Sequence, residues 1–369
     1  MFIYIYIMNN NKLHYYGWNR IRQEILDIAN KKKVVIIDYV DHHFMNFNTT
    51  VIDYEWYGII HHTISSFSNN NISKLFKNIK FLDSLKYCKG IITLSEYNKQ
   101  NIIYELEDLL LHIDIHVLKH PMPPSTHKVF DINLFNKSLN VYNIGGWLRN
   151  PYTIYKAKIL YNNNPVNKIK LKGYLMNQYF PEDKIDFDYI VSNFEMSRPN
   201  YLKTNYNKLE MCRPIDNTNY YLKYLLEYIS SLYCYRLFNF YKQRNEIIKI
   251  LKENHKSVKT NNYLNNDEYL EMLTSSVIFC DYIDCSVSNT IVECILTGTP
   301  IILNRHPAIE EYLGKDYPLY FDIIYNKHKK VYNIKKHDLM SAHKHLLNIR
   351  NSCDFELDNF KSNLEKIIN

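Results

Sequence analysis

The feature that most restricts the fold is an alternation along the chain. Short apolar runs of buried-strand type recur, and stretches with helical spacing separate them. In the first part, Lys33 to Asp38, Trp56 to His62, Ile91 to Ser95 and Ile115 to Leu118 read as strands. Trp18 to Asn30, Phe81 to Cys88 and Glu96 to Leu111 read as helices, the last capped by Ser95. Such alternation predicts parallel sheets with helices on both faces. Ligands of these sheets lie beyond the carboxyl ends of the strands. The polar strand ends at Asp41-His42-His43, His61-His62 and Ser95-Glu96 are therefore expected to line a cleft. The apolar start, Met1 to Met8, reads as a buried first strand, because it lacks a basic leader and is far short of the ~20 residues of a spanning helix.

A second alternating block begins at Leu139 to Ile144 and continues with Lys168 to Gly173, Val277 to Asp281 and Pro300 to Asn304. Pro121, Pro123 and Pro124 place a linker near 121–138. The stretch 176–217 is irregular, Tyr220 to Leu251 is helical in pattern, and His337 to Ile368 reads as a helical tail. A length of 369 residues favours two domains. The expected division is 1–135, then 136–335 with an insertion around 176–255, then the tail 336–369.

Composition narrows the function classes. The seven cysteines are odd in number and lack zinc-ligand spacing, which points to reduced thiols and a cytoplasmic protein. The net charge of +7 is spread thinly among many Asn, Lys, Ile and Tyr residues, 34 of them Tyr, as expected from an AT-rich genome such as that of a large DNA virus or a low-GC microbe. It argues against nucleic acid as the partner and suits an anionic substrate. Only eight glycines occur, where ordinary usage would give about 26. Those that remain should mark positions whose backbone requires them. Gly145-Gly146 is the sole adjacent pair, and Trp18, Trp56 and Trp147 lie near Gly17, Gly58 and Gly146. These three loops are either aromatic walls of a cleft or ordinary turns with a packed indole.

The most informative segment runs from Cys280 to Asn304. A strand enters a polar loop, and the loop enters a helix that starts near Ser288 or Asn289. Hydroxyls and free backbone N–H groups collect there, a natural anion site. Glu293, one turn on, can accept from a ribose diol; equally, Thr290 and Glu293 can form a capping box, with the carboxylate merely serving a backbone N–H. Gly298 ends the helix and Pro300 opens the next strand.

This segment resembles the nucleotide-binding motif of the GT-B glycosyltransferases, and of their retaining family 4-like group in particular. The resemblance implies two Rossmann-like doubly wound domains facing each other across a cleft, with a C-terminal helix packing back. It puts Glu293 on the ribose, Ser288, Asn289 and Thr290 on the diphosphate, and Thr297 to Pro300 on the turn. Val141 to Arg149 resembles the first strand and phosphate loop of the donor domain, which implies donor contacts from Gly145 and Gly146 and a leaving-group role for Arg149. Cys88 to Ser95, Gly58 to His62 and Tyr15 to Trp18 resemble pieces of the acceptor domain, which places Gly17, Trp18 and His61 on the sugar side. Many retaining members carry a second glutamate where this chain has Ser286, with Asp284 the nearest acid.

The chemistry expected is transfer of a sugar from a UDP- or GDP-linked donor to a glycan or other hydroxyl acceptor, without cofactor or metal. No DxD motif with a flanking apolar strand is present, and adjacent histidines on a strand point to opposite faces. His62 or His61 is the candidate contact for the donor sugar, Asp41 the candidate general base, and Arg305 a further residue facing the cleft. Two other readings stay open: a nucleotide-sugar epimerase, and a GT-B module that binds a glycan or partner without catalysis.

Overall fold

The computed structural model describes residues 18–45, 50–64, 72–109, 111–122, 128–145, 148–149, 153–171, 257–261, 264–282, 284–321, 331–352 and 355–369. The expected first strand, Gly17, Gly146, Trp147 and the insertion with its helical pattern lie outside the described residues.

The first sheet contains β1 (Ile36–Ile37), β2 (Trp56–Ile60), β3 (Cys88–Thr93) and β4 (Ile115–Val117), all parallel and in sequence order. Around it lie α1 (Trp18–Lys32), α2 (Val40–Met45), α3 (Ile72–Leu75), α4 (Ile79–Leu85) and α5 (Glu96–Asp108). Two expectations are corrected here, and one open alternative is decided. Asp41, His42 and His43 do not end a strand; a turn after β1 carries them into α2. Cys88 opens β3 instead of closing a helix. Trp56 walls no cleft: it is 0% exposed in the core, and its indole donates to the Ser84 carbonyl at 2.9 Å. Gly58 makes room for it, since a Cβ there would lie 2.4 Å from the indole.

The second half begins with α6 (Ile132–Ser138), capped by Asp131, whose Phe135 is buried in the second core. The stretch expected as a linker is thus partly a packed helix. There follow β5 (Asn140–Asn143), α7 (Thr153–Lys156), β6 (Lys158–Tyr161), β7 (Asn164–Pro165), β8 (Asn167–Leu171), β9 (Val258–Asn261), α8 (Asn266–Ser275), β10 (Val277–Cys280), α9 (Asn289–Thr297), β11 (Ile301–Asn304), α10 (Pro307–Leu313), β12 (Tyr320–Phe321) and β13 (Val331–Ile334). Six of these strands form a parallel sheet in the order β12-β11-β10-β5-β8-β9. From β5 the chain builds outward through β8 and β9, then returns to the other side of β5 with β10. The order therefore reverses between β5 and β10, and a crevice opens at their carboxyl ends, where ligands of such sheets bind. β13, β6 and β7 form a small separate sheet.

α9 shows how burial overrides local preference. Its sequence, NTIVECILT, is rich in β-branched residues of modest helix propensity, yet every residue from Thr290 to Thr297 is buried between the sheet and α11 (Lys336–Arg350). Gly298 terminates it with φ +64°. His343 contacts the Gly298 carbonyl at 2.7 Å and Arg350 donates to that of Leu296 at 3.1 Å, so α11 satisfies the open carbonyl end.

The last helix, α12 (Leu357–Ile367), crosses to the first half. Phe360, Leu364 and Ile368 pack with Ile21, Ile25 and Ile28 of α1, and Lys361 reaches Glu24 at 3.3 Å. α10 completes the junction. Glu311 accepts from the backbone N–H groups of Glu96 (2.6 Å) and Tyr97 (2.7 Å), which are open donors at the start of α5. Tyr312 donates to the Leu94 carbonyl at 2.7 Å. No helix of the described residues is long and apolar enough to cross a membrane.

Candidate functional site between the two sheets

The crevice at the switch point is bordered by two connections. After β5, Gly145 adopts φ +75°, and a Cβ there would fall 1.8 Å from Arg149 Nη1. Glycine is thus required both for the turn and for the arginine above it. Arg149 Nη1 donates to the Ile144 carbonyl, Nη2 donates to Ser288 Oγ at 2.8 Å, and the guanidinium lies 5.0 Å from the centre of the Tyr282 ring. Arg149 is thus no surface salt-bridge residue.

After β10, Tyr282 is fixed by Asn304 from the end of β11, whose side chain accepts from the Tyr282 N–H at 2.6 Å and donates to its carbonyl at 3.0 Å. The Tyr282 hydroxyl then donates to Ser288 Oγ at 2.8 Å. Ser288 is the N-cap of α9 but makes no side-chain cap bond, because its hydroxyl is turned to Tyr282 and Arg149. The first N–H groups of α9, from Asn289 and Thr290, receive no cap from that side chain. The positive end of a buried helix and a guanidinium converge on one place, which is the physical requirement for holding an anion.

Glu293 makes no capping box. Ser288 and not Thr290 is the N-cap, and Glu293 Oε2 accepts from the Tyr269 hydroxyl of α8 at 2.8 Å. The residue is 0% exposed. Its carboxylate therefore accepts from a side-chain hydroxyl of a neighbouring helix.

On the first-sheet side, His61 and His62 follow β2. The His61 N–H donates to Asp41 Oδ2 at 2.7 Å, and its ring Nε2 lies 2.9 Å from the Asp38 carbonyl, which requires the proton on that nitrogen. Burial holds this imidazole well below its ordinary pKa, hence neutral. Trp18 packs edge-on against it with centroids 4.5 Å apart. His62 is buried beside Tyr39, with Nδ1 3.9 Å from Asp41 Oδ1. Asp41 is 0% exposed, so it lies behind the two histidines and faces no open space. His42 approaches His62 with ring centroids 5.7 Å apart, and burial, reinforced by His62 and Arg22, pushes its pKa down to about 4.

The loop 284–288 joins the halves. The Ser286 hydroxyl donates to the His61 carbonyl across the junction, two residues from Ser288. Asp284 Oδ1 accepts from the Tyr97 hydroxyl of α5 at 3.0 Å and meets His306 Nε2 at 3.1 Å. The position where a second glutamate was looked for is thus a cross-sheet contact. Of the expected site residues, the structure brings Gly145, Arg149, Ser288, Asn289, Thr290 and Glu293 to the crevice, and His61, His62 and Trp18 to its other wall, with Asp41 buried behind the histidines. Arg305 turns elsewhere, to Glu310 at 3.0 Å and the Tyr320 ring. Tyr269, Tyr282 and Asn304 escaped the sequence reading; the only signal for Asn304 was a polar residue closing an apolar strand.

No protein-family model matches the chain, and no curated protein matches its sequence. Solved structures do match. The OtsA apo structure aligns over 95% of this chain and 78% of its own, at 9% identity and TM-score 0.50. An α,α-trehalose-phosphate synthase (UDP-forming) from Burkholderia vietnamiensis aligns over 94% and 78%, at 7% identity and TM-score 0.50. The fold is that of the GT-B glycosyltransferases. Anabaena HepE in complex with UDP-glucose aligns over 94% and 81%, at 10% identity and TM-score 0.48. The two parallel sheets, the crevice at the β5–β10 reversal and the C-terminal helix returning to the first half are the GT-B arrangement carried by this chain.

Proposed function

We propose that the protein is a glycosyltransferase that moves a sugar from a nucleoside-diphosphate donor to a hydroxyl of a glycan or other acceptor. The carrying observation is the loop 284–288. It places the arginine-bearing helix terminus of the second sheet and the histidine pair of the first sheet at one crevice. In this reading residues 1–135 hold the acceptor and 136–335 the donor. Arg149, Gly145, Gly146 and the Ser288-Asn289-Thr290 turn hold the diphosphate. The Tyr269 hydroxyl on Glu293 gives way to the ribose, which presents the same group to the same carboxylate.

The reaction breaks the bond between the anomeric carbon and the diphosphate oxygen and forms one from that carbon to the acceptor oxygen, whose proton passes to the released diphosphate. Negative charge grows on the leaving diphosphate, where Arg149 and the end of α9 stabilise it without rearrangement. This supplies the stabilisation a metal ion provides elsewhere. His62 or the neutral His61 takes part at the sugar, with Asp41 behind them as a positioning group. That a UDP-forming synthase shares this fold favours a UDP-linked sugar as the first donor to test. The test is release of nucleoside diphosphate from UDP- and GDP-sugars with glycan acceptors, in EDTA. Turnover that falls at least about 100-fold in Arg149→Met supports the reading. Tight binding without turnover under every acceptor would favour a non-catalytic module, and no binding would remove the proposal.

A further inference from the structure

Lys170 occupies an interior strand, where a lysine is unusual. It pairs in register with Asn143 of β5, and the residue is only 9% exposed. Its ammonium donates to Asn143 Oδ1 and, at 3.0 Å, to the Gly145 carbonyl. Arg149 donates to the carbonyl of the preceding residue, Ile144. Two consecutive carbonyls of the glycine turn thus hold two cations side by side. Among the described residues neither cation makes an ion pair with a carboxylate. An ammonium has three donors, and two are used among the described residues.

Buried like charges with no counter-ion are unfavourable unless an anion joins them. Arg149 borders the crevice at the β5–β10 reversal through its bond to Ser288 at the α9 N-terminus, and Lys170 on β8 reaches the same glycine turn from the other side of β5. A diphosphate carries charge on two phosphorus centres and matches two separate cations. We propose that Lys170 is a second cationic ligand of the donor diphosphate, acting from β8 beside Arg149. The inference rests on the donor-site reading above and adds a residue to it.

Its consequence is a proton linkage. Burial, outweighing an opposing effect of Cys280 and joined by a smaller repulsion from Arg149, pulls the free lysine's pKa down to about 8. The titratable or charged groups facing it are Arg149 from the β5 loop and the Cys280 thiol from β10. Lys168 on the same strand is turned to the Ile154 and Ala157 carbonyls. A bound diphosphate favours the protonated form, so binding weakens as pH rises through about 8, where the free protein loses that proton.

The experiment is calorimetric titration of full-length protein with inorganic pyrophosphate, UDP and uridine at pH 7 and pH 9, for wild type, Lys170→Met and Lys170→Arg. A charge-assisted hydrogen bond is worth about 10- to 100-fold in affinity. Lys170→Met is expected to lose that factor for pyrophosphate and UDP at pH 7, to lose the pH dependence, and to leave uridine unchanged. Lys170→Arg, which does not titrate, keeps affinity at pH 9 and shows that the charge, not the packing, is responsible. If Lys170→Met binds both diphosphates as wild type does, with the same pH slope, while Arg149→Met does not, Lys170 is only a strut for the glycine turn and the inference is wrong. If wild type binds neither diphosphate, the donor-site reading falls and this inference falls with it.

Discussion

Replacing Gly145 by alanine isolates the link between one backbone angle and the proposed anion site. The residue holds φ +75°, and the new Cβ would lie 1.8 Å from Arg149 Nη1 and 2.6 Å from its Cζ. A non-glycine residue in the left-handed region costs roughly 1–2 kcal/mol, and the contact requires the guanidinium to leave. For a domain of this size that cost corresponds to a fall in Tm of about 2–8 °C. Moving the guanidinium also breaks its bonds to Ile144 and Ser288, and the loss of a charged donor should weaken UDP or GDP by about 10- to 100-fold. The assay is a double-mutant cycle: Gly145→Ala, Arg149→Met and the pair, each measured by thermal melt and by nucleotide titration. The two binding losses should not add, because both act through one side chain. Additive losses, or a Gly145→Ala protein that melts and binds like wild type, would refute the argument.

Other perturbations follow from the same geometry. Glu311→Ala removes two charge-assisted bonds to the start of α5, worth about 1.5–3 kcal/mol each at most; the melt should fall and small-angle scattering should show a larger radius of gyration, and an unchanged pair of values would count against this junction. Leu364, 0% exposed between α12 and α1, should cost about 2–5 kcal/mol on truncation to alanine, with a loss under about 1 kcal/mol contradicting the packing of that helix. His42, whose folded pKa is lowered to about 4 by burial, binds fewer protons when folded than unfolded between that value and its ordinary one near 6.5. Stability from this residue is therefore present above about 6.5 and is lost as pH falls toward about 4, by up to about 3 kcal/mol. Urea midpoints across that range should show the slope, and His42→Asn should reduce it; identical slopes would overturn the assignment.

Much of the donor side was legible because its signals are local. Ser288, Gly298 and Pro300 punctuate α9 and β11 in the order their conformations require, and glycine scarcity made Gly145 conspicuous. Glu293 could not be settled from spacing, since a capping box and a buried partner share one pattern; Tyr269, 24 positions away, decides it. The sequence around Lys170 carries no signal of its burial. In fact β8 lies between β5 and β9, so Ile169, Lys170 and Leu171 are all buried, a fact of sheet order that no single strand contains. Trp56 stayed between two readings for a related reason. Its proximity to Gly58 signalled space for the indole in the core, and the same pairing fits a cleft wall equally well in sequence. Asp41 changed role because the two-residue strand β1 ends before it, and the helix that follows turns its carboxylate inward.

The central claim is that a nucleoside diphosphate binds where Arg149 meets the start of α9. The most direct measurement is thermal stabilisation by UDP-, GDP- and ADP-glucose in EDTA, for wild type, Arg149→Met and Glu293→Ala. A ligand at 100 times its Kd adds about 2.7 kcal/mol. The account predicts a shift with one nucleotide class, UDP first, that is lost in both variants. Equal shifts in wild type and both variants, or none with any of the three, would contradict it.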